Sequence, residues 1–502
     1  MRFDLSGIDQ TMADSAAEFL NQSGYATETG GICIEWKCDP LAERLRVEYK
    51  DGTLLLYGRE RVHFYRGLTL FLSELIEYGD NCADLKKEEQ ISFRESGVML
   101  DCSRNGAANI RFLKRMIRFC ASCGLNQLYL YMEDMYEVPD YPYFGAWRGR
   151  FKHDELEEID RYGQKFGLEV IPAIQTLAHM HTYLRWPAAQ DLKDTDDILM
   201  VGSPKTYAFV EALIRNVSGC FSTKKIHVGM DEADFLGLGK YLRVHGYEDR
   251  YQIMTKHLKT VCSICKELSL EPMIWSDMFF RLKSPTGDYY DLSEETTFDE
   301  IFALPEGVEL VYWDYYHHDQ SDYEKNIRLH HKITDQLRFA AGGWTWNGIS
   351  PNYSKAEKTI AEGIMACRKQ GVDKAFCTFW FDNGAETPMQ TAWYPIAYFA
   401  QQCYSECAEK AEMLRKMREE IWFYECRPFG FEVLDIRFGA ISIRLRSAQK
   451  RMEAWSAGYI EHIEELEEPR LLYTEDKNNP GHRQCAAGFW ENIVSAGNVS
   501  GI

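Results

Sequence analysis

The stretch Lys225-Ile226-His227-Val228-Gly229-Met230-Asp231-Glu232 runs a short apolar strand pattern into two adjacent carboxylates. It is the fourth such run in a series. Apolar runs at 98–101, 125–133 and 168–175 precede it, and runs at 272–277, 308–315, 337–346 and 375–382 follow it. Helical spacing of apolar residues fills most gaps, at 109–123, 154–166, 207–221, 250–268, 323–334, 355–369 and 391–403. Eight strands, nearly all followed by a helix, predict an α/β chain closed into a (β/α)₈ TIM barrel. A doubly wound open sheet is the alternative. Its Gly-rich phosphate turn is missing after the first strand, where Ser103-Arg104-Asn105-Gly106 stands instead.

The barrel is expected over residues 93–404. Residues 1–92 read as a small N-terminal α+β domain. It has a strand at 32–37, a hairpin of 45–49 and 54–57 about Asp51-Gly52, and one helix over 61–78. Residues 405–502 read as a C-terminal, mainly helical region, with helical periodicity at 406–425 and 442–467.

Composition narrows the function. The 502 residues are 45% hydrophobic and 27% charged, as in an ordinary globular protein. A net charge of −20 argues against nucleic acid and against an anionic membrane surface as partners. No apolar run reaches the roughly 18–20 residues that span a bilayer. Met1 to Gly7 lacks the pattern of a secretory signal. With 15 cysteines besides, the expectation is a reducing, cytoplasmic location. Cys120-x-x-Cys123 and Cys262-x-x-Cys265 fall within helical apolar patterns without a matching Cys or His pair, so they read as buried thiols.

A TIM barrel builds its active site at the C-terminal ends of its strands. Those ends carry Asp101 and Arg104, Glu133 and Asp134, Gln175 with His179 and His181, then Asp231 and Glu232. The later ends carry Trp275 and Asp277, Trp313 to Tyr316, Trp344 and Trp346, and Trp380, Asp382, Asn383 and Glu386. A carboxylate floor walled by tryptophan suits a sugar ring, whose C–H faces stack on aromatics while its hydroxyls bond to charged groups. Nothing here has the His and Cys spacing of a zinc site, so neither a metal nor a cofactor is expected.

These residues resemble glycoside hydrolase family 20, the β-N-acetylhexosaminidases. His227-x-Gly229-x-Asp231-Glu232 is similar to the family's strand-four signature. Met99 to Arg104, Leu125 to Asp134, Gln175 to Met180 and Trp380 to Glu386 resemble its first, second, third and eighth strand segments, in order. The resemblance implies an exo-β-N-acetylhexosaminidase that removes terminal β-linked GlcNAc or GalNAc with retention, by a substrate-assisted exception to the two-carboxylate scheme. Glu232 is then the general acid and base, and Asp231 holds the substrate's acetamido N–H. His179 bonds to Glu232, and Asp134 supports Asp231. Arg104 and Glu386 take ring hydroxyls, and Trp380 is the ring platform. Trp275, Trp313 and Trp346 are candidates for the acetamido pocket, and Tyr315 for the acetamido oxygen. The family's commoner Tyr-x-Asp segment on strand seven is replaced by Trp344-Thr345-Trp346, while strand six is Tyr-rich as in a bacterial, cytoplasmic-type subset. The implied partner is a glycan with a terminal N-acetylhexosamine. Two other readings stay open: a retaining glycosidase with a protein nucleophile, and a catalytically silent sugar-binding barrel.

Overall fold

The structure, a computed structural model, describes residues 2–78, 84–298, 304–346, 351–382 and 387–404. The expected helices at 406–425 and 442–467 lie outside the described residues.

Six strands make an N-terminal sheet: β1 (Arg2–Asp4), β2 (Ala26–Thr27), β3 (Ile32–Cys38), β4 (Arg44–Lys50), β5 (Thr53–Gly58) and β6 (Leu85–Gln90), in the order β2-β1-β3-β5-β4-β6. β4 and β5 form the expected antiparallel hairpin. Asp51 and Gly52 at its turn both take positive φ, 49° and 79°, as a tight hairpin turn requires. This part holds two helices where one was expected. Gln10–Gln22 begins at Asp9, whose carboxylate accepts the Thr11 N–H, and it buries Met12, Ala16, Phe19 and Leu20 on one face. The second helix, Arg61–Tyr78, lies against the barrel. Its fully buried Arg66 pairs with Glu89 at 2.6 Å, donates to the Cys123 carbonyl and to Gln401, and lies over the Tyr404 ring.

The barrel closes with eight parallel strands: β7 (Glu95–Asp101), β8 (Gln127–Tyr131), β9 (Glu169–Ala173), β10 (Lys225–His227), β11 (Glu271–Trp275), β12 (Glu309–Trp313), β13 (Leu337–Gly342) and β14 (Lys374–Phe379). Ladders connect each to the next, and β14 pairs with β7. The strands are buried almost throughout, which is why they read as continuous apolar runs. Helices cover the outside: His153–Phe166 and Pro204–Ser218 bury one stripe each, whereas Trp393–Tyr404 is buried along its whole length. Ile110–Ser122 starts at Asn109, which caps the Phe112 N–H, and Asp249 caps Gln252 at the start of Arg250–Glu267.

The N-terminal ends of the strands hold a closed charge network. Arg338, with no exposed surface, bridges Glu95 and Glu309 and donates to Gln127. Lys225 pairs with Glu95 at 3.0 Å and Glu169 at 2.9 Å, and Lys374 pairs with Glu309. Three cations meet three carboxylates, so the plug is neutral and each buried charge has a partner. It seals the floor below the site.

β10 stops at His227, well short of the expected end at 232. Gly229, Met230 and Glu232 take φ of 72°, 73° and 50°, so the chain twists out of the sheet there. Val228 and Gly229 still exchange backbone hydrogen bonds with Met273 and Trp275 of β11, and the chain leaves the sheet beyond them.

Candidate active site

Asp231 and Glu232 emerge from this twisted segment at the C-terminal mouth. Gly229 has to be glycine: its φ is left-handed, and a Cβ would collide with the Gln175 side chain. Gln175 in turn accepts the Met230 N–H at 3.1 Å and donates to Asp231 Oδ1 at 2.7 Å. His227, fully buried, accepts the Gly229 N–H on Nδ1 and packs on Trp275 at 4.4 Å between ring centroids. Burial drives the His227 pKa down to about 3, so it is a neutral brace.

The two carboxylates sit in different surroundings. Asp231 is nearly buried, and its Oδ2 lies 3.2 Å from His179 Nε2. That contact has ion-pair distance, although the ring N–H is not aligned for a full hydrogen bond. Burial alone raises the Asp231 pKa, but the His179 charge and the Gln175 bond outweigh it and hold the group ionised. His179 moves the opposite way. Burial lowers its pKa, Asp231 raises it, and the result is about 10. Glu232 is 48% exposed, with Oε2 at 3.7 Å from His179 Nε2 and Oε1 at 3.9 Å from Arg281. His179 therefore stands nearer to Asp231 than to Glu232, which refines the pairing expected from the sequence.

Asp134 is not where the sequence reading put it. Its carboxylate pairs with Arg148 at 2.7 Å, and the support expected from it reaches Asp231 from Gln175. Burial raises the Asp134 pKa to about 6, with Arg148 opposing. The difference has a simple cause: Asp134 directly follows Glu133, which bonds to Tyr131, and Arg148 comes over from the following loop to meet Asp134.

Arg104 faces the pocket. It donates to Asp101 at 3.2 Å, lies 3.4 Å from Glu133, and sits over the Tyr131 and Trp380 rings at 5.1 and 5.5 Å. Asp101, fully buried, is satisfied by Ser103 and by the Phe381 N–H, which ties strand one to strand eight. Trp380 is partly exposed, whereas Trp275, Trp313, Tyr315 and Trp346 are buried. Tyr315 stacks on Trp313 at 5.3 Å, meets Trp346 edge-on at 5.4 Å, and accepts the Trp380 Nε1–H at 3.3 Å. The Trp275 ring lies 6.1 Å from that of Trp380 between centroids, tilted against it. The structure thus joins Trp313, Tyr315, Trp346, Trp380 and Trp275 in one aromatic wall. Glu386 lies outside the described residues.

Three contributors were missed. Gln175 and Asp277 were visible at strand ends but were given no part, and Arg281 carries no motif. Asp277, fully buried, accepts the Glu232 N–H at 3.0 Å and Arg281 Nε at 3.2 Å on one oxygen. Burial and then Asp231 push its pKa up. A signal did exist: Asp277 lies two residues past a strand end and four before Arg281, the spacing of a helical ion pair. Backbone geometry points to the same place. Among the described residues ten non-glycines take positive φ, and Glu133, His179, Met230, Glu232 and Trp344 all sit at barrel strand ends. Such strain concentrates at functional sites.

Among the described residues, His179, Asp231 and Glu232 form the group whose ligand atoms, within 4.8 Å of one another, could reach one cation. An imidazolium between two carboxylates satisfies the same atoms. The described cysteines are thiols, nine of them buried. Burial pushes Cys262 and Cys265 up to about 12, so they are inert.

A (β/α)₈ barrel with an acid pair, an imidazole and an aromatic wall at its C-terminal mouth has the site of a carbohydrate-active barrel. The sequence matches the glycosyl hydrolase family 20 catalytic domain over residues 92–322 and the glycoside hydrolase 20C C-terminal domain over 395–486. The chain belongs to glycoside hydrolase family 20. It is 28% identical over 222 residues to human hexosaminidase D, covering 41% of this chain and 42% of that protein. It is 25% identical over 274 residues to a β-hexosaminidase of Vibrio furnissii, covering 45% and 44%. The match thus spans less than half the length of these two curated relatives. In fold it is similar to the N-acetyl-β-hexosaminidase of Streptomyces plicatus, solved with Thio-NAglucal: TM-score 0.62, 15% identity, 85% of this chain and 91% of that one.

Proposed function

We propose that the chain is an exo-acting β-N-acetylhexosaminidase that removes terminal GlcNAc or GalNAc from β-linked glycans with retention. The observation that carries the reading is the division of the carboxylate pair. Asp231 is held ionised by His179 and Gln175, while Glu232 stands at the mouth. Adjacent carboxylates in such unlike surroundings can take separate roles.

Glu232, protonated, gives its proton to the glycosidic oxygen as the bond to the anomeric carbon breaks. The substrate's acetamido oxygen attacks that carbon and forms an oxazolinium ion. Asp231 accepts the acetamido N–H, which aims the amide oxygen, and its negative charge offsets the positive charge that develops on the ring. Glu232, now ionised, takes a proton from water as the water opens the oxazolinium. Two inversions give retention, and no protein nucleophile is needed. Arg104 offers two donors to ring hydroxyls beside Trp380, the ring platform. Trp313, Tyr315 and Trp346 supply an apolar pocket of the kind the acetamido methyl needs. Asp134 acts at one remove, by fixing Arg148, and Glu386 completes the hydroxyl contacts.

A panel of nitrophenyl glycosides tests this. Turnover confined to β-linked 2-acetamido sugars supports the reading. Equal turnover of the plain β-glucoside means a protein nucleophile, and tight binding without product means a silent barrel. No helix among the described residues is long and apolar enough to cross a membrane. The 15 cysteines support a cytoplasmic location.

A further inference from the structure

Tyr143, Trp147 and Trp186 form an aromatic cluster on the loops that follow β8 and β9. Trp147 is 89% exposed and Tyr143 46%. The Trp186 ring lies 5.5 Å from each of them between centroids, and the Arg185 guanidinium sits over it at 5.3 Å. Trp147 also takes a φ of 63°, so backbone conformation and exposure both disfavour this placement. A contiguous exposed aromatic patch marks a binding surface.

Two links tie the cluster to the pocket. Gly145, between Tyr143 and Trp147, is pressed so closely on the Asp134 carbonyl that any Cβ would collide with it. Arg148, next to Trp147, pairs with Asp134 and also donates to the Ser103 carbonyl, one residue from Arg104. Trp186, for its part, follows the short helix His181–Leu184, which starts two residues after His179. Both loops therefore leave the strand ends that carry the pocket's own residues. In exo cleavage one ring fills the pocket, and the remainder of the glycan runs across the rim. Neighbouring rings of a β-linked oligosaccharide offer C–H faces that match exposed indoles, and Arg185 can take their hydroxyls.

We propose that Tyr143, Trp147 and Trp186 form a leaving-group subsite that stacks the sugars on the reducing side of the cleaved bond, so that the ligand is a β-linked oligosaccharide and not a single sugar. This rests on the hexosaminidase reading and extends it. The test compares the methyl β-glycoside of GlcNAc, whose aglycone is too small to reach the cluster, with a β-1,4-linked GlcNAc trimer. Nitrophenyl substrates are unsuitable, because their own ring could stack there. Trp147→Ala and Trp186→Ala each lower kcat/KM for the trimer about tenfold, mainly through KM, and leave the methyl glycoside unchanged. Equal effects on both substrates, or none on the trimer, overturn the subsite. If the wild-type chain cleaves neither substrate, the hexosaminidase reading fails instead. Trimer binding by calorimetry then still decides the subsite: a Kd about tenfold weaker in Trp147→Ala supports it, and an unchanged Kd refutes it.

Discussion

The Asp277 carboxyl, fully buried, accepts the backbone N–H of Glu232 at 3.0 Å and so fixes the left-handed residue that carries the candidate acid. Among the described residues its other oxygen has no hydrogen-bond partner. The bond fixes where Glu232 starts from, not what it touches. Asp277→Ala removes the acceptor and frees that backbone. The expected result is a kcat about 10²-fold lower with KM little changed, since small misplacements of an acid carry losses of that size. Asp277→Asn keeps an acceptor and mimics the protonated acid that burial favours, so it recovers most of kcat. Steady-state kinetics of both variants checks this. Wild-type kcat in the alanine variant would contradict it.

The His179–Asp231 pair has a defined pH window. His179 has its folded pKa raised to about 10, so its stabilising effect is full below its unfolded value of about 6.5 and is lost as pH rises through about 10. Asp231 is lowered, so its part is present above an unfolded value of about 3.9 and is lost only at lower pH. Denaturation of wild type and His179→Gln should therefore show the largest gap between about pH 4 and about pH 6.5, shrinking as pH rises toward about 10. An unchanged gap means that His179 is neutral. Dialysis against a chelator separates a proton from a metal at this cluster: full activity is expected to remain, and loss restored by a divalent cation would assign a metal to His179, Asp231 and Glu232.

Arg338 tests the plug at the other end of the barrel. Burial raises the Glu95 pKa, yet Arg338 and Lys225 bring it down to about 2, so Glu95 contributes above its unfolded value of about 4.3 and loses that contribution as pH falls through about 2. Arg338→Met strands Glu95 and Glu309 with one lysine each. Urea unfolding at pH 7 should show a loss of about 3–5 kcal/mol, with KM unchanged because the site is at the opposite face. A loss under about 1 kcal/mol would mean that the lysines suffice.

The barrel was legible because parallel strands buried on both faces leave unbroken apolar runs, and because helices cover the gaps between them. The carboxylate pair, His179, Arg104 and the tryptophans were legible because each stands just past such a run. What escaped notice lacks that signature. β6 reads Leu-Lys-Lys-Glu-Glu-Gln, a charged edge strand whose sequence shows no apolar alternation. Gln10–Gln22 keeps a narrow stripe with Ser15 and Ala16 in it. The early end of β10 depends on three left-handed residues, two of which are not glycine. Gln175, Asp277 and Arg148 act through contacts 14 to 56 residues away in the chain, which no local pattern encodes.

The central claim is that the substrate's own amide does what a protein nucleophile does elsewhere. The most direct measurement is kcat/KM across nitrophenyl β-glucosaminides whose N-acyl group is acetyl, monofluoroacetyl, difluoroacetyl or trifluoroacetyl. Each fluorine weakens the carbonyl oxygen as a nucleophile while changing the shape little. A steep, continuous fall along the series is predicted. A flat response would contradict the account and return the nucleophile to the protein.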